Sequence, residues 1–271
     1  MKILDAGHSM FRTIACFETQ LPRCYELDEN WFVGVAEFSY TKSWFNVRHD
    51  VRIMLVDENE QVYPSSEIMK AGYYVSEADV ALKLNKIIQT INADVAFYPS
   101  ISFDIYSRRV KIETGTKRDD TILHVWLSEE LCDMLGLKFQ GPKETNTIDE
   151  NGVLRTNTIN AGMTSYRSYD LSGGIHSLFL YCDLIEPSFV GDCYSNVIRT
   201  VIINQADEFG KDCENIFNPI QYHKLSRSRF QRISIGLYDD AGEVIPFKFG
   251  RTRIVLHFKK YAEWMGGEIL P

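Results

Sequence analysis

The chain has 271 residues, 45% of them apolar, which is enough for one large β domain, or one domain carrying an insertion, around a sizeable core. Its 29 Lys and Arg against 37 Asp and Glu give a formal net charge of −8, so the molecule as a whole is not built to bind nucleic acid. No window approaches the roughly 18–20 apolar residues of a membrane helix, and Met1-Lys-Ile-Leu-Asp-Ala-Gly-His does not read as a secretory signal.

The first 30 residues, with Pro22 and the charged Glu26–Glu29 run, read as an arm with one strand at Arg12–Phe17. Trp31–Tyr40 then alternates, with Phe32, Gly34, Ala36, Phe38 and Tyr40 on one face and Val33, Val35, Glu37 and Ser39 on the other. Period two with Val and aromatics predicts a strand. Val51–Val56 is a second, presenting Val51, Ile53 and Leu55 together. At Ser76–Asn92 the period changes: Val80, Leu84, Ile87, Ile88 and Ile91 recur at helical spacing behind a Ser76 cap. Phe103–Ile105 and Val110–Glu113 flank Tyr106–Arg109 as a hairpin. Ser128–Gly136 is a short helix capped by Ser128 and stopped by Gly136.

Residues 140–170 are polar and turn-rich, with Asn151-Gly152 as a hairpin turn and a strand at Val153–Ile159. After Gly173-Gly174 strands dominate: 176–184, 197–203, 219–225, 230–238 and 251–259. Asp239–Gly242 makes a tight reversal before Val244–Phe249. Many strands with the helices clustered mid-chain predict an all-β sandwich interrupted by an α/β insertion. The expected boundaries are 1–63 and 141–271 for the sandwich and 64–140 for the insertion. The strand Leu178–Cys182 is apolar on both faces and should be central, or covered by a neighbouring subunit.

Candidate chemistry is sparse. The six cysteines form no CxxC and no pair flanked by His at ligand spacing, so neither zinc nor another cofactor is expected, and reduced thiols in an intracellular setting are the default. The six histidines are scattered singly. Asp183 and Glu186, three residues apart at a strand end, suit turn capping better than acid–base work. No phosphate-cradling Gly loop or nucleophile elbow is present, and no enzyme is expected. From Pro219 to Lys260 nine Lys and Arg face three acids. Within it Lys224, Arg227, Arg229 and Arg232 are the candidate residues for weak, non-specific contact with nucleic acid, against the plainer reading of a charged strand edge. Arg227 and Arg229 share one face and Arg232 the other. Trp31, Trp44, Phe45, Phe179 and Tyr181 are candidate interface aromatics, since such rings serve cores and subunit contacts alike. Leu171–Gly174 and Met265–Gly267 are Gly-Gly segments that suit turns and, less readily, a maturation protease.

Several segments together resemble a known family. Trp31-Phe-Val-Gly-Val-Ala-Glu-Phe-Ser-Tyr-Thr-Lys-Ser-Trp-Phe-Asn-Val47, Gly72-Tyr-Tyr74, Asp104–Val110, Leu131–Gly136, Leu180-Tyr-Cys-Asp-Leu-Ile-Glu-Pro-Ser-Phe-Val-Gly-Asp192 and Asp240–Gly250 occur in the order and spacing of the minor capsid (penton) proteins of Polinton, or Maverick, virus-like transposons. The resemblance runs from about residue 31 to 259, with Thr41 where that family carries Pro. It implies a single jelly-roll vertex protein with no catalytic residues, assembled in the cytoplasm or nucleus. Five copies would close each fivefold vertex of an icosahedral virion beside a double jelly-roll major capsid protein. The N-terminal 30 residues and Tyr261–Pro271 would be arms ordered by assembly. The rival expectation is a monomeric or trimeric jelly-roll module that recognises a receptor or carbohydrate through exposed aromatics.

Overall fold

Strand-forming sequence dominates the chain, and the computed structural model, which describes residues 2–5, 13–28, 30–138, 158–159, 164–191 and 193–261, follows it. The first strands are β1 (Lys2–Asp5), β2 (Cys16–Glu26) and β3 (Trp31–Thr41). The middle of the chain forms β4 (Val51–Asp57), β5 (Val62–Met69), α1 (Glu77–Ile88), β6 (Val95–Phe97), β7 (Ser100–Asp104), β8 (Arg109–Glu113), β9 (Gly115–Lys117), β10 (Ile122–Trp126), α2 (Glu129–Met134) and β11 (Thr158–Ile159). The last part contributes β12 (Ser177–Cys182), β13 (Ser188–Val190), β14 (Cys193–Ser195), β15 (Val197–Ile202), β16 (Asp212–Ile216), β17 (His223–Lys224), β18 (Arg229–Tyr238) and β19 (Thr252–Lys260). These elements fall into two units, Met1–Trp44 with Ile175–Pro271, and Phe45–Gly174.

The first unit holds two sheets. One runs β15-β12-β18-β2; the other runs β1-β19-β3-β16, with β17 also on β3. All of these pairings are antiparallel. Lettered B to I along the chain, β2, β3, β12 to β16 and β18 give one sheet in the order B-I-D-G and pair C with H. That is the jelly-roll arrangement, in which sheet neighbours come from opposite ends of the sequence. Strands E and F, here β13 and β14, pair with each other as a separate hairpin. Inward side chains from both sheets form one core, including Phe17, Val33, Phe38, Leu178, Leu180, Ile233, Leu237 and Leu256, as in aligned sandwiches.

The second unit is built around one sheet, β5-β4-β10-β9-β6, with β11 on β10 and the β7–β8 hairpin beside it. Helix α1 starts where Ser76 accepts the Asp79 N–H at 3.2 Å, and its buried face is Val80, Leu84, Ile87 and Ile88. It packs on β4, β5 and β7. Helix α2 is capped by Ser128 and ends before Gly136, whose φ of 68° suits glycine. The fold class expected from the sequence, a jelly-roll sandwich with an α/β insertion, is the one observed.

Several details differ from the sequence reading. The inserted unit begins at Phe45, ahead of 64, because β4 ladders with β5 and β10. It ends at Gly174, past 140, because Ser165 and Tyr169 return to the β8 hairpin: their N–H groups donate to Val110 O at 2.7 Å and Arg108 O at 3.1 Å. The N-terminal segment is not all arm: β1 pairs with β19, and β2 forms a sheet edge. An edge tolerates Pro22, and the β2 register on β18 breaks across the residues flanking it. In β3 the strict alternation fails at Ala36, which is passed over in the ladder with β19, where Val255 faces Glu37 and Leu256 faces Val35. The bulge carries Val33 and Val35 before it, and Phe38 and Tyr40 after it, into the same core. The strand expected at 219–225 shrinks to β17. Asn151-Gly152, most of the Val153–Ile159 strand, Met265–Gly267 and most of the C-terminal arm lie outside the described residues.

Candidate interaction face of the jelly-roll unit

Strand β12 is central in its sheet, and its pleat divides its apolar residues. Leu178, Leu180 and Cys182 point into the core at 0–1% exposure, while Phe179 and Tyr181 point the other way and stay half-buried. On the neighbouring β18, Tyr238 lies opposite Phe179 and Gly236 opposite Tyr181. The Tyr181 and Tyr238 rings meet edge to face at 4.8 Å. A Cβ on Gly236 would sit 2.6 Å from the Tyr238 ring, so only glycine lets that ring lie over the sheet. Cys16 from β2 completes the patch. Burial, reinforced by the neighbouring Cys16 and Tyr181, raises the Tyr238 hydroxyl above the usual phenol range.

Tyr181, Gly236, Tyr238 and Cys16 line an open depression on the outer face of the sheet, bordered by Glu18, Asp183, Asn196 and Ser234. The charges at its border are matched. Asp183 accepts the Ser234 N–H at 2.9 Å through one oxygen and is held by the Arg227 guanidinium through the other. Glu18 lies 3.6 Å from Arg232. The depression thus has an apolar, ring-bearing centre inside a polar border.

Beyond the end of β12 projects the β13–β14 hairpin. Phe189 and Tyr194 are directly opposite in its ladder, with ring centroids 5.2 Å apart, and are 79% and 65% exposed. In the inserted unit the tip of the β7–β8 hairpin exposes Ile105 and Tyr106, on a turn held by Asp104, which accepts the Tyr106 N–H at 3.0 Å and the Ser107 hydroxyl at 2.7 Å.

The four basic residues singled out in the sequence all carry partners. Lys224 is 3.2 Å from Glu186, and Arg227 is on Asp183. Arg229 donates to the Cys24 sulfur at 3.3 Å, and Arg232 to Gln20 at 3.1 Å besides its ion pair with Glu18. Register slippage between Phe230 and Arg232 leaves Arg229 and Arg232 both exposed, instead of on opposite faces. Lys224, Arg227 and Arg232 are thus matched by acids, and Arg229 by a thiol.

Of the expected interface aromatics, Phe179 and Tyr181 are in the outer face. Trp31 is half-buried against the core, and Phe45 is half-buried at the start of the inserted unit. Trp44 is 1% exposed and packs between Tyr40 and Phe247, so it is a core residue and offers nothing to a partner. Asp183 and Glu186 each serve an ion pair, and Asp183 also receives a backbone N–H from β18. Burial pushes the Cys182 and Cys132 thiols up to about 12, so both are inert packing groups. Among the described residues no three His, Cys, Asp or Glu side chains gather as a metal set, and no helix is long and apolar enough to cross a membrane. Sequence reading missed Tyr238, Phe189 and Tyr194. The available signal was Ser-Phe-Val-Gly-Asp-Cys-Tyr-Ser, two aromatics at mirrored distances from a turn, but strands of three residues are too short to show a period.

Strand order and pleat together define a jelly-roll protein with an α/β insertion. No protein-family profile and no curated protein matches the sequence. Among solved structures it is similar to the selenomethionine-labelled mavirus penton protein, at 14% identity and a TM-score of 0.46, over 96% of this chain and 98% of that one.

Proposed function

We propose that this protein is a structural capsid component, a penton-type capsomer of a Polinton-like particle, with copies of itself and a double jelly-roll major capsid protein as its neighbours. The observation that carries the reading is the half-buried aromatic face of the B-I-D-G sheet together with the exposed Phe189–Tyr194 pair: chemistry suited to contact, with the acids at its border, Asp183 and Glu18, already held by Arg227 and Arg232. The ordered resemblance of Trp31–Val47 and Leu180–Asp192 to the Polinton minor capsid proteins supports it. The work of such a protein is geometric, since its interfaces must be repeated identically until a ring closes. Assembly inside the cell and residence in the virion follow from the same reading. Lys224, Arg227, Arg229 and Arg232 each have a partner within the chain, which favours the plainer reading of a charged strand edge over a genome contact. Light scattering of the purified chain over a range of concentration, alone and co-expressed with a major capsid protein, tests the proposal. A five-chain species supports it. A stable trimer, or a monomer that fails to enter particles with the partner, overturns it.

A further inference from the structure

The β13–β14 hairpin is the outlier of the sandwich. Jelly-roll connectivity would place E and F beside H, yet these strands pair only with each other among the described ladders, and their two facing rings are 79% and 65% exposed. The same unit carries a ring-lined depression over β12, β18 and β2, floored by Gly236 and walled by Tyr181 and Tyr238. The geometry points to a contact between copies in which the Phe189–Tyr194 hairpin of one chain seats in the Tyr181–Tyr238 depression of the next; this rests on the capsomer reading above.

Three features select a second copy as the occupant. Knob and depression are different elements of one chain, so the contact joins unlike patches, the heterologous kind that can propagate around a ring. Their charges are compatible. Between Pro187 and Ile198 the only charged residue is Asp192, while the acids bordering the depression, Asp183 and Glu18, are already matched by Arg227 and Arg232. Third, the areas are in proportion: two rings at these exposures offer on the order of 300 Å², a fraction of the roughly 800 Å² per partner that a stable interface covers. The hairpin is therefore an anchor at the centre of a larger contact, where truncating one aromatic has a large effect.

The test is molar mass by sedimentation, together with a photo-crosslink, on the full chain. Phe189→Ser and Tyr194→Ser on one side, and Tyr181→Ala on the other, should each weaken self-association on the order of 30-fold. The serine changes should leave the melting temperature in place, because their rings are exposed. With p-benzoylphenylalanine at position 189, illumination should yield a two-chain product joined to a peptide from 177–182 or 229–238. If the wild-type chain assembles but the variants assemble equally, or the crosslink maps elsewhere, the hairpin contact is wrong and the capsomer reading stands. If the wild-type chain neither assembles alone nor enters particles with the major capsid protein, both fall.

Discussion

The two units cover a sheet in different ways. The inserted unit lays α1 against β4, β5 and β7, and all of its strands come from one continuous segment, Phe45–Gly174. The jelly roll covers sheet with sheet, and its partners come from far apart: Phe17 lies opposite Ile235, and Tyr40 opposite Thr252. Local pairing costs little chain entropy before contacts form, and distant pairing costs more. The inserted unit therefore has what it needs to fold within its own segment, whereas the jelly roll has to wait for both halves of the chain. The surfaces differ as well. The jelly roll displays an aromatic sheet face and the β13–β14 hairpin, and the inserted unit exposes separate apolar side chains, Val75, Leu82 and Phe97 as well as Ile105 and Tyr106 at its hairpin tip.

The strongest way to break this comparison is to empty one core at a time. Leu180→Ala in the jelly roll and Leu84→Ala in the inserted unit each remove a side chain that is 0% exposed, at about 2–5 kcal/mol apiece. Calorimetry should show two transitions, each moved by only one of the substitutions; a single transition moved by both would mean that the units unfold together. Next in size is Gly34→Ala in β3. The new Cβ would lie 2.3 Å from the Gln221 carbonyl oxygen and 2.6 Å from the Ile220 side chain. Backbone must move, at about 1–3 kcal/mol, and only the jelly-roll transition should fall.

Asp57 sharpens the contrast through pH. Burial alone would raise its carboxyl, but the Gln61 N–H, the Tyr63 hydroxyl, the Asn59 N–H and Lys117 together hold it below the usual carboxylate range. A lowered folded pKa means stabilisation that is complete above the ordinary Asp value of about 3.9 and fades as pH falls through the folded value. The inserted unit should thus lose stability on acidification. Asp57→Asn should cost it about 1–2 kcal/mol at neutral pH and flatten that acid limb in pH-dependent urea titrations. The smallest effect belongs to the basic strand edge. Replacing Arg227 and Arg232 by Gln removes surface ion pairs worth about 0–1 kcal/mol each, and filter binding to duplex DNA at physiological salt should stay unchanged. A marked loss of DNA affinity would restore the genome-facing reading.

Much of this was legible in the chain. The α1 face, both helix caps and the β7–β8 hairpin follow from spacing alone, because each is written within a few residues, and the central place of β12 follows from its apolar residues on both faces even though its partners β15 and β18 are distant. What escaped was set by distant partners. Nothing local marks Ala36 as a bulge; its place is dictated by the ladder with β19, and it decides which side of β3 is core. Trp44 reads as readily as an interface ring as a core ring until Phe247, remote in sequence, packs on it. The boundaries of the insertion moved for the same reason, since β4 belongs with β10 and Ser165 with β8. The ion pairs of the basic edge were not legible because its acids, Asp183, Glu186 and Glu18, lie outside the basic stretch.

The interruption between β3 and β12 also has a consequence in time. Strands β2 and β3 leave the ribosome early, yet β18, which pairs with β2, begins only at Arg229, and β19, which flanks β3, begins only at Thr252. At about 5–20 residues per second, the nascent chain carries Phe17, Val33, Val35, Phe38 and Tyr40 without their strand partners for roughly 10–40 s. During that interval the inserted unit can complete its own fold. A chaperone, or a sister chain on the same message, meets a finished module tethered to two half-dressed strands.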